Sequence, residues 1–288
     1  MNHDVELEMI RFLQQFRSPF LDQFFRSLDF FDRQEFLFVL IPIVWLCHGW
    51  KTGLRLFSVL LLSSLVNHSL KEYFVSPRPF HLDASVGIIQ VRGFGFPSGA
   101  AQTVILLSGL LLASLKRNWK WAVAFSYIFL VSLSRVYLGV HFPTDMLGGW
   151  IVGCGLLATY FYAFPPIERK LSELPPRLLF LCSQILPLGW IVIQPSIFAV
   201  RYGSVAMGIG VGLWIANSYA LFLPMPENKK EYVLRGVFGV LSLFSLYALS
   251  RLLLPSEAIV PTFVRFFTLG LWVSLGLCKA LLHRKRWS

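Results

Sequence analysis

Runs of about 20 apolar residues follow one another along this chain, separated by short basic loops, and they decide the solvent in which it folds. They lie near 35–50, 53–74, 99–115, 120–138, 146–165, 176–195, 199–223, 233–253 and 261–282. A helix of that length crosses the hydrocarbon core of a bilayer, where only helices and closed barrels satisfy the backbone. The fold class expected is therefore all-α: a polytopic integral membrane helical bundle with about nine transmembrane helices. Composition agrees, with 56% hydrophobic and 14% charged residues, against about 25% charged in soluble domains. Pro187 and Pro195 interrupt the region of the sixth and seventh runs.

Ahead of the first run, Leu13, Phe16, Phe20, Phe24, Leu28 and Phe31 recur at helical spacing, interrupted by Glu6, Glu8, Arg11, Asp22 and Arg26. This reads as an N-terminal amphipathic helix, kinked or divided at Pro19, lying on the membrane rather than crossing it. Its acidic character is not that of a cleavable signal peptide, and none is expected.

The formal net charge of +11 has a topological explanation. Lys51 and Arg55, then Lys116, Arg117 and Lys120, then Arg169, Lys170 and Arg177, then Lys229, Lys230 and Arg235, and finally Arg284, Lys285 and Arg286 all fall on one side of nine spans. That side is expected to be cytoplasmic, giving an N-out, C-in topology. Nucleic acid is not an expected partner. Cys47, Cys154, Cys182 and Cys278 lie in apolar runs without metal or disulfide spacing, and neither a metal nor another cofactor is expected.

The opposite, extracytoplasmic side collects the chemistry. Lys71 and Arg78 stand at the end of the second run, Pro97-Ser98-Gly99 opens the third, and Ser134-Arg135 through His141 to Asp145 joins the fourth to the fifth. Each part has a plain alternative: cations as interfacial anchors, Ser98 and Asp145 as helix caps. Together, three cations suit a phosphate. Free N–H groups at a helix start favour an anion, and Gly99 lets the backbone approach it. His141 can act as a nucleophile towards phosphorus, and Asp145 can orient its ring. His68, one turn before Lys71, reads as a helix histidine, and His81 and Arg92 read as loop residues of the same face. All of these residues lie in 1–165, the expected catalytic core. Residues 166–288 add about four helices whose glycines (Gly203, Gly208, Gly210, Gly212) suit close helix packing.

The three motifs resemble those of the type 2 phosphatidic acid phosphatase superfamily, membrane lipid phosphatases related to glucose-6-phosphatase and vanadium haloperoxidases. Its pattern is Lys, six residues, Arg-Pro; then Pro-Ser-Gly-His; then Ser-Arg, five residues, His, three residues, Asp. Lys71, Arg78 and Pro79 match the first, and Ser134, Arg135, His141 and Asp145 match the third. The resemblance implies that Lys71, Arg78, Ser98, Gly99 and Arg135 hold the phosphate. It also implies that His141 forms a phosphohistidine and that Asp145 is its partner. The second motif departs: Ala100 stands where the family places the His that protonates the leaving oxygen. With the flanking residues intact, this reads as an engineered substitution that disables catalysis and keeps the ligand site. A natural loss of activity is the alternative.

The expected function is hydrolysis of a lipid phosphate or pyrophosphate on the extracytoplasmic face of a membrane, a bacterial cytoplasmic (inner) membrane being the natural setting. The expected partners are the lipid-phosphate substrate and surrounding membrane lipids. A lipid phosphotransferase using the same site, and a non-catalytic lipid-phosphate binder or transporter, are the competing readings. Few charges lie inside the later spans, which argues against ion-coupled transport.

Overall fold

The computed structural model describes residues 3–285; Arg286, part of the expected closing basic cluster, lies outside them. In chain order its α-helices are α1 (Asp4–Gln14), α2 (Pro19–Leu28), α3 (Gln34–Cys47), α4 (Trp50–Phe74), α5 (Pro79–Leu82), α6 (Gly99–Ser114), α7 (Trp119–Tyr137), α8 (Pro143–Ala158), α9 (Phe164–Ser172), α10 (Pro176–Ile193), α11 (Ile197–Ser218), α12 (Lys229–Leu253), α13 (Ile259–Leu271) and α14 (Leu277–Lys285). Short 3-10 turns occupy Asp29–Asp32 and Ala84–Val86, and π-helical turns join α8 to α9 and α13 to α14. Among the described residues there is no strand.

Among the described residues, six stretches are long and apolar enough to cross a membrane: Trp50–Leu82, Pro143–Ser172, Pro176–Ile193, Ile197–Ser218, Lys229–Leu253 and Ile259–His283. The other three expected spans also lie on helices but fall short of that standard. α3 has 14 residues and α6 has 16, against the ~20 that a bilayer core needs. α7 has 19 residues, but Lys120 and Arg135 dilute its apolar character.

The chain divides into two compact units, Met1–Phe36 with Val59–Ile167 and Leu37–Ser58 with Glu168–Ser288. In the first, α6 packs on both α7 and α8. Gly149 of α8 makes the second packing possible, because a Cβ there would lie 2.5 Å from the Ser98 carbonyl oxygen. Pro19 begins a new helix rather than kinking an old one, with Ser18 Oγ capping the Leu21 N–H at 3.2 Å. The apolar residues of α1 and α2 face two ways. Leu7 and Ile10 pack with Val86, Ala101, Val136, Phe142 and Met146, and Phe25 packs with Tyr137, Leu138 and Val140. Phe12, Phe16 and Phe20 are exposed.

Polar contacts fix this N-terminal layer to the rest of its unit. Glu6 Oε1 accepts from the Thr144 N–H and hydroxyl, both at 2.8 Å. The Tyr137 hydroxyl donates to Asp22 at 2.7 Å.

In the second unit, α11 packs on α13 through small residues. A Cβ on Gly208 would lie 2.1 Å from the Phe267 carbonyl oxygen, and one on Gly212 would lie 1.9 Å from Ser274 Oγ. Two of the glycines singled out in the sequence thus serve close packing. Buried Arg235 ties α12 to the segments before it, donating to the Leu46 and Pro224 carbonyls and to Glu231.

Candidate active site

Lys71 lies in the last turn of α4. Directly after this helix Val75 takes a positive φ of 47°, a conformation that disfavours a β-branched residue by roughly 1–3 kcal/mol and turns the chain towards Arg78. The loop 92–96 folds over this turn. Gly95 N–H donates to the Ser76 carbonyl at 2.8 Å, and Lys71 Nζ donates to the Phe94 carbonyl at 2.8 Å. Arg78 is buried, its Nε donating to the Gly93 carbonyl at 2.8 Å and NH2 to the Arg92 carbonyl at 3.3 Å. Arg92 therefore meets Arg78 through its backbone. His81 holds the start of α5, its Nδ1 accepting from the Arg78 N–H at 3.2 Å.

Gly139 sets the next segment, with φ +69° and a position where a Cβ would meet the Val86 carbonyl oxygen at 1.9 Å. No other residue fits that turn. It delivers His141, 2% exposed, between a carboxylate and a guanidinium. His141 Nδ1 is 3.1 Å from Asp145 Oδ2, and Arg78 NH1 is 3.2 Å from His141 Nε2. Asp145 Oδ2 also accepts from the Phe142 N–H at 2.9 Å, which fixes the carboxylate in the first turn of α8. With Arg78 donating to Nε2, the ring proton is assigned to Nδ1, and the Nε2 lone pair faces Arg78. Burial, reinforced by Arg78, Lys71 and Arg135, holds the His141 imidazole well below its ordinary value, so it is neutral at pH 7.

Arg135 is 1% exposed in the last turn of α7. NH1 donates to Asp29 at 2.5 Å, and NH2 stands 3.2 Å from Asp32 Oδ2. Its Nε and NH2 nevertheless make no hydrogen bond, leaving a buried cationic edge with donors to spare. Burial raises the Asp29 carboxyl, but Arg135 and Arg33 outweigh this and hold it below its ordinary range. Ser98 is the N-cap of α6, its Oγ accepting from Ala101 N–H at 3.3 Å, while its own N–H donates to the Asp145 carbonyl. This hydrogen bond brings the second and third motifs together. A polar network beneath holds the turn: Asn67 donates to the Pro97 carbonyl and to Gln102, and Gln102 donates to Ser63.

Lys71, Arg78 and Arg135 act electrostatically on one another and on His141, so the residues of the first and third motifs share one locality. Ala100 is buried among Val104, Val131, Phe31, Tyr127 and Ile128. Asp29, Asp32, Asn67 and Gln102 were not singled out in the sequence. The first two carry no motif in the sequence; the others carried the signal of amide side chains inside apolar runs. Among the described residues, no group of three or more His, Cys, Asp or Glu side chains is arranged to hold a metal.

Comparison with known proteins finds two family matches along the chain. The model of the PAP2 superfamily matches residues 52–169, and that of the PAP2 superfamily phosphatase transmembrane extension matches residues 200–280. The undecaprenyl-diphosphatase of Sulfolobus acidocaldarius is 32% identical over 126 residues, 41% of this chain and 59% of that protein. Phosphatidylglycerophosphatase B of Bacillus subtilis is 30% identical over 171 residues, 54% of this chain and 80% of the relative. The lipid A 4'-phosphatase of Bacteroides thetaiotaomicron is 26% identical over 188 residues, 60% of this chain and 83% of the relative. With these family matches and a relative 30% identical over 80% of its length, the chain belongs to the PAP2 superfamily, the type 2 phosphatidic acid phosphatases.

Proposed function

We propose that this protein is a membrane phosphatase that hydrolyses a lipid phosphate or pyrophosphate through a phosphohistidine on His141. The observation that carries the reading is the His141 imidazole, held at Nδ1 by Asp145 with Nε2 turned to Arg78. A phosphate fits the Nε–NH2 edge of Arg135, with Lys71, Arg78 and the N-terminus of α6 at Ser98 and Gly99 as further donors. His141 Nε2 attacks phosphorus, the bond to the lipid oxygen breaks, and water then releases phosphate from the imidazole. The names of the relatives, each a phosphatase of a lipid-borne phosphate, favour a lipid substrate.

The positive-inside pattern supports a site on the extracytoplasmic face, with the N-terminus outside and the C-terminus cytoplasmic, in a bacterial cytoplasmic membrane. Ala100 removes the imidazole that would protonate the leaving oxygen, an effect worth about 10²–10⁴ in rate. The chain is thus impaired relative to Ala100→His. The same substitution favours the second reading, a non-catalytic lipid-phosphate binder.

Phosphate release from a panel of lipid phosphates, measured in detergent, tests this. Release is expected, abolished in His141→Ala and faster in Ala100→His. Release that survives His141→Ala overturns the mechanism. Binding without release by either the Ala100 or the Ala100→His form assigns the site to a binder.

A further inference from the structure

Phe142, Pro143 and Thr144 separate His141 from Asp145, and the first and last of them are held by α1 and the residue before it. Glu6 Oε1 takes both Thr144 donors, the N–H and the hydroxyl, at 2.8 Å. That N–H belongs to the first turn of α8, whose own helix offers it no partner. Glu6 Oε2 lies 2.7 Å from His3 Nδ1, so both carboxylate oxygens are engaged. The His3 ring stacks on the Phe142 ring, with centroids 4.1 Å apart and 11° between the planes. Leu7 and Ile10 share one apolar cluster with Phe142 and Met146.

The far end of α1 holds the start of the same segment. Gln14 Nε2 donates to the Tyr137 and Val86 carbonyls, both at 2.8 Å, and the Gly139 turn packs against that same Val86 carbonyl. Glu6 and Gln14 stand about 12 Å apart along one helix, at 1.5 Å per residue. A single rod thus grips the chain at Tyr137 and at Thr144, and His141 falls between the two points of attachment.

The His141–Asp145 pair depends on this segment. Asp145 Oδ2 takes the Phe142 N–H as well as facing His141 Nδ1, so a shift of residues 142–144 moves carboxylate and imidazole relative to each other. The charge of Glu6 also acts on Asp145. None of the three motifs contains a residue of α1.

We propose that Glu6 is a positioning residue for the His141–Asp145 pair, and that α1, through Glu6 and Gln14, is the splint that holds this pair in register for attack on phosphorus. The proposal rests on the phosphohistidine reading. In this role Glu6 acts through Thr144, and through His3 on Phe142, without touching the reacting atoms.

Single-turnover release of phosphate from a lipid phosphate in detergent tests this. Glu6→Ala is expected to lower the maximal rate about 10²-fold, the cost of a small misplacement of reacting groups. The half-saturating substrate concentration should not change, because Lys71, Arg78 and Arg135 are untouched. Glu6→Gln, whose amide oxygen still accepts from Thr144, should recover most of the rate. Gln14→Met is expected to repeat the pattern from the other end of α1, and it carries the test if Glu6→Ala does not fold. In an Asp145→Asn background the loss in either variant should largely vanish, since the pair being positioned is already broken; a loss of global stability would add in full. A full loss in that background, or a parallel change in half-saturation, overturns the proposal and leaves the His141 reading intact. So does an unchanged rate in Glu6→Ala, or in Gln14→Met where Glu6→Ala does not fold. No release by the unaltered chain, or release that survives His141→Ala, overturns the phosphatase reading itself, and this proposal with it.

Discussion

Asp145 and His141 are locked to each other at the start of α8, with Oδ2 3.1 Å from Nδ1 and the same oxygen bound to the Phe142 N–H. The carboxylate thereby selects the ring tautomer that turns a lone pair to Arg78. Asp145→Asn keeps the shape but can donate its amide to Nδ1, favouring the wrong tautomer. We expect turnover to fall by about 10²–10⁴, by analogy with triad carboxylates, while vanadate affinity changes little. Single-turnover kinetics and vanadate titration check both halves.

Arg135 is expected to bind the phosphate through its Nε–NH2 edge, which makes no hydrogen bond within the protein. Arg135→Lys keeps the charge and loses the fork. A lost charge-assisted hydrogen bond of about 1.5–3 kcal/mol corresponds to a roughly 10- to 150-fold weaker vanadate affinity, which isothermal titration would read. Asp29→Ala acts differently, removing the anchor of a buried guanidinium. We expect it to destabilise the protein by about 3–5 kcal/mol, visible as a lower thermal midpoint in detergent.

His141 titrates below its ordinary value in the folded chain. Above pH 6.5 the imidazole is neutral in both folded and unfolded states, and its environment sets no pH dependence. As pH falls below 6.5, the unfolded state takes up a proton that the folded state refuses, so stability is lost. Thermal melts between pH 8 and pH 5 should show a decline that is shallower in His141→Gln. The histidine-dependent acid limb of turnover is expected below pH 6.5 for the same reason.

Gly139 is expected to tolerate no side chain. Gly139→Ala combines a left-handed backbone with a Cβ 1.9 Å from the Val86 carbonyl oxygen. We expect a loss of at least about 2 kcal/mol, together with loss of turnover, since the turn delivers His141 two residues later. Differential scanning of the purified variant measures the first, and phosphate release the second.

Much of the candidate site was legible because its polar residues stand at fixed spacing beside apolar runs. Lys71, Arg78, Ser98, Arg135, His141 and Asp145 stand out as polar groups at helix ends, where a membrane chain retains few. The remainder was hidden by long-range pairing. Asp29 and Asp32 are separated from Arg135 by about a hundred residues, and in sequence they carry no motif. The break before Pro19 was readable, but not that Leu7, Ile10 and Phe25 turn inward while Phe16 and Phe20 remain exposed. Apolar spacing gives a stripe; only packing decides what covers it. The short helices α3 and α6 show a related limit, because an apolar run does not reveal where a cap or a turn will end the helix.

The central claim is that His141 carries the phosphoryl group. The most direct measurement is a rapid quench of the purified protein with lipid phosphate labelled at phosphorus, under alkaline conditions that preserve phosphohistidine, followed by peptide mapping. The account predicts label on the peptide containing His141, absent in His141→Ala and accumulating when water attack is slowed. Lipid phosphate turnover with no labelled protein at any quench time, or label on another residue, would contradict it.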